Sequence, residues 1–375
     1  MASIFKKPKL SEVPNCELRN DLEGEESGQR DRCTPSQDSG SDRKLVSMDE
    51  EYFSSYSQVD IHECMIADVV RTRTYRWAML KNYEILHGKL VADVGSGTGI
   101  LSLFAVQAGA KQVYAIEASK MASQLPAITT ENKIEERISV IHGKVEDIVL
   151  PECVDVIISE WMGYFLLYES MLNSVIQARD RWLKPGGIMM PSVATLYLAP
   201  VSDEDYEDKI SFWKDEVTKL YKVSLATMIP LVKKQMSKTV VVKTVSAESI
   251  QSHAEIISQF DLKTVTEKDL KMIHKKFSFS CFGHSVLHGL VAWFDVGFPQ
   301  DIKLTTSPFK DETHWEQCVM YWDQPITVEQ DTMIKGSISI SPNQNRPRFL
   351  DIQLTYKVGD HPQQSKHYYM ADDLS

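Results

Sequence analysis

The chain has 375 residues, 43% hydrophobic and 25% charged, which fits a soluble globular protein of two to three domains with a sizeable core. Its net charge of -11 argues against a protein whose main work is coating nucleic acid, because phosphate binding wants a basic face; an acidic enzyme can still attract basic peptides. No apolar run approaches the ~18 residues of a membrane span, residues 1–10 lack the apolar centre of a signal peptide, and the six cysteines form no C-x-x-C pair, so free thiols in a reducing compartment are expected and a zinc site is not.

Residues 1–47 are rich in Ser, Asp, Glu, Gly, Arg and Lys and poor in aromatics. Such a segment cannot bury enough apolar surface to fold and is expected to be disordered. Within it, Lys6-Lys7-Pro8-Lys9 reads either as a nuclear import signal or as part of a solvated tail. From residue 48 to about 77 the pattern is helical and amphipathic. Alternation comes next: a strand at 89–94, a helix at 100–108, a strand at 112–116 and a helix near 121–132. Strands at 137–141 and 154–158 and a helix at 170–183 complete it. Strands alternating with helices predict a parallel sheet covered on both faces, and Pro185-Gly186-Gly187 closes this unit, residues 48–190, as a turn.

After Pro191 the texture changes. β-Branched and aromatic runs at 194–198, 239–245, 277–282, 287–294, 336–340 and 349–356 predict an antiparallel sheet or barrel over 191–375. Residues 203–235 interrupt it. Within them, Ile210, Phe212, Trp213, Val217 and Leu220 have helical spacing. An apolar helix set between strands needs cover, either from its own domain or from a partner subunit.

Two motifs carry chemistry. The first, Val94-Gly95-Ser96-Gly97-Thr98-Gly99, is a strand end, a glycine-rich turn and a helix start. Ligands of open α/β sheets bind at the carboxyl ends of the strands, where this turn lies. Glu117 ends the next strand, twenty residues after Gly97, where a carboxylate can accept from ribose hydroxyls. The third glycine comes one residue too early for the dinucleotide fingerprint G-x-G-x-x-G, which weighs against NAD. With Asp93 just before the turn, the pattern looks like the first motif of S-adenosylmethionine-dependent methyltransferases. The second motif is Ser159-Glu160-Trp161-Met162-Gly163-Tyr164, with Glu169 close behind. Two acids among Trp, Met, Tyr, Phe and Leu, after a buried strand, suit a bound cation, best a planar one with several N–H donors.

With this loop added, the chain resembles the protein arginine methyltransferases from Tyr52 onward. Tyr52-Phe53-Ser54-Ser55-Tyr56, Ile61-His62-Glu63-Cys64-Met65 through Arg71-Thr72, the glycine turn, the double-glutamate loop and Thr313-His314-Trp315 carry the likeness. The nuclear branch of type I looks most similar, although Phe165 and Tyr168 look more like other type I branches. The resemblance implies a Rossmann-like class I methyltransferase domain, then an antiparallel β-barrel substrate domain with a helical dimerisation arm at about 203–235. It implies S-adenosylmethionine as cofactor, S-adenosylhomocysteine as product and no metal. Asp93, Gly95 and Gly97 would form the cofactor turn. His62 and Arg71 would lie beside a cofactor-covering helix, with Arg71 on the cofactor's carboxylate. Glu117 would hold the ribose, Glu146 would lie near the adenine, and Tyr52 and Tyr56 would close as a lid. Glu160 and Glu169 would grip the substrate guanidinium. Met65 and Met162 would shape its pocket beside Trp315, and His314 would relay a proton or only orient its loop.

The implied product is mono- and asymmetric dimethylarginine on nuclear proteins, histone tails above all, by a homodimer in the nucleus acting on transcription. No direct nucleic-acid binding and no membrane association are expected. A small-molecule methyltransferase of the same fold has no need of the β domain or the acidic loop. A non-catalytic scaffold has no need of an intact Glu160, Glu169, Arg71 and glycine turn.

Overall fold

The computed structural model describes residues 40–370, and their side chains from residue 48. Two units divide the chain, residues 1–42 and 43–375; the second carries the fold. The sequence expectations for residues 1–39, the import signal included, lie outside the described residues.

The chain enters through helices α1 (Gly40–Ser55), α2 (Val59–Ala67), α3 (Val69–Lys81) and α4 (Tyr83–Leu86). This region differs from the sequence reading in two ways. The backbone of α1 is already helical at Gly40, inside the segment expected to be disordered. The helical stretch expected over 48–77 is divided into three helices; Asp68 stops α2 and caps α3 with a carboxylate oxygen 2.9 Å from the Arg71 amide, a bond that starts a new helix rather than continuing the old one.

The alternating region forms a five-stranded parallel sheet in the order β3-β2-β1-β4-β5, from β1 (Leu90–Val94), β2 (Gln112–Glu117), β3 (Ile138–His142), β4 (Val154–Ser159) and β5 (Leu183–Met190). Every residue of β1 is buried, as a strand covered on both faces must be. Helices α5 (Ile100–Gln107), α6 (Leu125–Glu131) and α7 (Leu172–Trp182) make the connections. Strand register brings the motifs together. Val94 lies opposite Ile116 on one side and Ser159 on the other. Gly95, Glu117 and Glu160 therefore leave three adjacent strands together, at the point where strand order reverses. Pro185-Gly186-Gly187 is not the closing turn expected. It lies within β5, where register with β4 slips: Val154 faces Leu183, but Val156 faces Ile188. The residues between are accommodated as an irregularity with Gly186 at φ 79°.

The second half builds two antiparallel sheets. One has the order β7-β12-β10-β6-β8 with β11 on β10, the other β15-β14-β13-β9. Their strands are β6 (Val193–Val201), β7 (Val241–Lys243), β8 (Glu255–Asp261), β9 (Ile273–Ser280), β10 (Ser285–Phe298), β11 (Ile302–Thr305), β12 (Gln317–Val328), β13 (Met333–Pro342), β14 (Leu350–Val358) and β15 (Gln364–Met370). β8, β11, β12 and β15 were not anticipated: Pro325 interrupts the pattern of β12, and β15 reads as polar.

Residues 203–235 are helical, as expected: α8 (Glu204–Ser211), a π turn over Phe212–Glu216, α9 (Val217–Tyr221) and α10 (Ile229–Met236), with α11 (Glu267–Leu270) coming later. Tyr206, Val232 and Met236 pack into a cluster with Val291, Trp293 and Tyr321 of the barrel, joined by Ile210 and Trp213. Phe212, Leu220, Tyr221, Val223 and Leu231 stay exposed. The root of the segment is thus covered by its own domain, and its tip is exposed. Among the described residues no helix is long and apolar enough to cross a membrane.

Candidate active site

The glycine turn meets two carboxylates. Glu117 is buried, its oxygens accepting from the Gly97 amide and the Ser119 amide, both at 2.7 Å. Gly97 has φ 53°, and a Cβ there would come 3.0 Å from Cε1 of His62, so the backbone conformation favours glycine and the buried imidazole leaves little room for a side chain. His62 in turn has Nε2 2.9 Å from the carbonyl of Tyr56. Asp93 lies beneath the turn, fully buried, accepting from Ser102 Oγ at 2.7 Å. Burial pushes its carboxyl up to about 7, against the Ser102 bond that pulls it down. Its second oxygen and the buried Ser96 hydroxyl find no partner among the described residues. Asp93 thus holds α5 against the turn. Glu146 is exposed and accepts from Ser174 Oγ at 2.7 Å.

Arg71 stands between the two halves of the site. Its Nε donates to Glu160 at 2.9 Å, both side chains being under 8% exposed, and Nη1 donates to the Met65 carbonyl at 3.1 Å. A fork can serve several acceptors at once, as an ammonium cannot, so the expected contact with a cofactor carboxylate falls to the remaining N–H groups. Met65, half-buried, contributes its carbonyl to the fork.

Asp68, which sequence reading missed, ties this helix to the Thr313-His314-Trp315 segment. One carboxylate oxygen caps α3; the other accepts from the His314 amide at 2.9 Å and lies 2.7 Å from His314 Nδ1. Burial pushes the Asp68 carboxyl up, but the bonds from His314 and Arg71 outweigh it and hold it below the usual range. An ionised carboxylate only accepts, so Nδ1 of His314 carries the proton. Next to it, Trp315 donates from Nε1 to the Met162 carbonyl at 2.7 Å, and Tyr75 donates to the Ser159 carbonyl at 3.0 Å. Asp68 had a signal in the sequence: an acid between two helical stretches, at an N-cap.

The double-glutamate loop is folded on itself. Phe165, Leu166, Glu169 and Ser170 all have positive φ, from 54° to 75°, conformations that cost a non-glycine residue about 1–3 kcal/mol each and persist only when surroundings over-determine them. A Cβ on Gly163 would lie 2.0 Å from the Tyr168 carbonyl oxygen, so that glycine is obligatory. Glu169 accepts from the Tyr56 hydroxyl at 2.7 Å. Burial, and then the Glu169 charge, push the phenols of Tyr56 and Tyr52 well above their ordinary range, so both stay protonated. Tyr52 packs 4.9 Å from Tyr56, ring centre to ring centre. Hydrogen bonds thus link Glu169 to Tyr56, Tyr56 to His62, and Gly97 to Glu117. Among the described residues no cluster of three or more His, Cys, Asp or Glu could hold a metal ion.

A parallel sheet with its glycine turn and acidic strand ends at the switch point defines a methyltransferase domain. Residues 92–190 match a family model described as a methyltransferase domain, and residues 192–361 one described as the arginine methyltransferase oligomerization subdomain. The chain is similar to proteins named protein arginine N-methyltransferase 6: 46% identical over 326 residues in Xenopus tropicalis (86% of this chain, 96% of the relative) and 48% over 336 residues in Danio rerio (88% and 96%). A Trypanosoma brucei PRMT1 enzyme–prozyme heterotetramer with AdoHcy superposes with a TM-score of 0.77 at 35% identity, covering 84% of this chain and all of that one. The chain belongs to the protein arginine N-methyltransferase family, and its activity is the methylation of arginine.

Proposed function

We propose that this chain transfers methyl groups from S-adenosylmethionine to the guanidinium nitrogens of arginine in nuclear proteins, giving mono- and asymmetric dimethylarginine. The observation that carries the reading is a glutamate pair in one loop, Glu160 held by Arg71 and Glu169 by Tyr56, beside a glycine turn with its own carboxylate. The residues fit the cofactor: Gly97 has no side chain where a ligand must approach, Ser96 Oγ is a buried hydroxyl unpartnered among the described residues, and Glu117 sits at the end of β2. The Trypanosoma relative with AdoHcy supports the same assignment.

When bound, S-adenosylmethionine supplies an electrophilic sulfonium methyl. Gly95, Gly97 and Glu117 would hold its nucleoside, with Glu146 toward the adenine and Arg71 toward the carboxylate. Asp93 would act from below, through the turn. Substrate arginine arrives charged, because guanidinium keeps its proton up to pH ~12. Glu160 and Glu169 grip the fork and draw positive charge toward one side, which frees the lone pair of the other nitrogen. Orientation supplies much of the rate, and the fixed negative charges stabilise the cation through the transfer. Met65 and Met162 limit its pose beside Trp315. The departing proton passes toward His314, whose imidazole Asp68 orients and whose positive charge Asp68 would offset.

Acid hydrolysis of an arginine-rich histone peptide treated with labelled S-adenosylmethionine is expected to yield asymmetric dimethylarginine. Mainly symmetric product would overturn the type I reading. Residues 203–235 are assigned as a dimerisation arm, supported by the exposed Leu220, Tyr221 and Val223 at its tip and by the oligomerization subdomain around it. Light scattering of the full chain at micromolar concentration is expected to give the mass of a homodimer; a monomer would refute the assignment.

A further inference from the structure

Arg348, in the barrel just before β14, lies outside the cofactor turn and bonds to neither carboxylate of the glutamate pair, yet its side chain and backbone are fully engaged at the site. Its Nε and Nη2 both donate to Asp49 Oδ1 on α1, at 3.1 and 2.7 Å. Its guanidinium carbon lies 3.9 Å from the centre of the Tyr52 ring. Asp49 is held from the other side by Lys144, whose Nζ is 2.6 Å from Oδ2. Burial raises the Asp49 carboxyl, but the bonds from Lys144 and Arg348 outweigh it and hold it below its usual range, so the latch is ionic at neutral pH. The third nitrogen, Nη1, donates to the Glu169 carbonyl at 2.7 Å, while the Glu169 amide donates to the Arg348 carbonyl at 2.7 Å. Ser170 Oγ adds a bond to the Pro347 carbonyl at 2.6 Å.

Glu169 and Ser170 are the two residues at φ 75° and 57°. A backbone in that region relaxes unless something outside the loop holds it, and residues 347–348 hold it through three bonds. The same guanidinium is clamped by the lid. We propose that Arg348 is a positioning residue that joins closure of α1 over the site to the orientation of Glu169. With Asp49 and Tyr52 in place, the fork is fixed and Nη1 is aimed at the Glu169 carbonyl. Without them the fork turns freely and the hold on Glu169 weakens. Lysine cannot substitute, because a single ammonium cannot serve Asp49 and the Glu169 carbonyl together in a fixed plane. The inference rests on Glu169 being a guanidinium-gripping residue.

A double-mutant cycle on the full-length protein tests it, with kcat and KM for an arginine peptide at saturating S-adenosylmethionine and the thermal midpoint of each variant. Arg348→Lys is expected to lower kcat by about 100-fold, the scale of a small misplacement of a catalytic group, with the thermal midpoint nearly unchanged. Asp49→Asn, on the half-exposed lid, is expected to lower kcat several-fold. The double variant is expected to match Arg348→Lys alone, because coupled residues are non-additive. Losses that multiply, or wild-type kcat in Arg348→Lys, would overturn the coupling, as would a loss tracked by the thermal midpoint alone. Glu169→Gln serves as control: wild-type turnover there would defeat the role given to Glu169, whereas an inactive Glu169→Gln beside a fully active Arg348→Lys defeats only the inference about Arg348.

Discussion

Glu160→Gln is expected to lower kcat for arginine methylation by about 10²–10³-fold, the cost of removing one preorganised charge from the position where it stabilises a transition state. Glutamine keeps the shape and can still accept from Arg71 Nε, which lies 2.9 Å from the carboxylate, so the fold of the loop is retained and the loss is electrostatic. Sequence reading alone assigned Glu160 to the arginine side and left the cofactor side untouched. The Arg71–Glu160 pair changes the reason for expecting cofactor affinity to survive. Arg71 in the variant keeps its hydrogen bond but loses its counter-charge, which makes an incoming carboxylate a better partner, not a worse one. Two measurements separate the effects: label incorporated into an arginine peptide, and titration calorimetry with S-adenosylhomocysteine. Equal labelling by variant and wild type would remove Glu160 from the mechanism. Lost labelling together with lost S-adenosylhomocysteine binding would move it to the cofactor side.

The parts of this protein that were legible in the sequence are those whose physics is local. A buried parallel strand must be a near-continuous apolar run, so residues 154–158 announced β4. A turn that opens a helix at positive φ favours glycine, so Gly95, Gly97 and Gly99 announced the turn that leads from β1 into α5. The alternation of β6 and β14 was equally plain. What was not legible depends on contacts distant in sequence. Asp68 meets His314 across 246 residues and Arg348 meets Glu169 across 179; neither Asp68 nor Arg348 stands out from its neighbours by residue type. β15, with Gln364, Ser365, Lys366 and His367, looks like a loop because it pairs through its backbone with β14 and buries only Tyr368 and Met370. The helical pattern over 48–77 did not mark where one helix ends and the next begins; the Asp68 cap that sets the break between α2 and α3 is a local signal of a different kind.

The Arg71–Glu160 pair also sets a stability expectation. Arg71→Met is expected to destabilise the fold by about 3–5 kcal/mol, because the change removes one partner of a buried ion pair and leaves the other charge without compensation. Both side chains are under 8% exposed, so solvent does little to screen the loss. Urea unfolding at pH 7.5 measures this directly: a deficit under about 1 kcal/mol would mean that the pair is not what holds Glu160 in place. Arg71→Lys is expected to fall between Arg71→Met and wild type, since it restores the charge beside Glu160 but not the second bond, from Nη1 to the Met65 carbonyl. Stability and cofactor affinity would then report on the same fork from its two sides. The Glu160 side would be weakened in proportion to charge, and the side facing the cofactor in proportion to the donors lost.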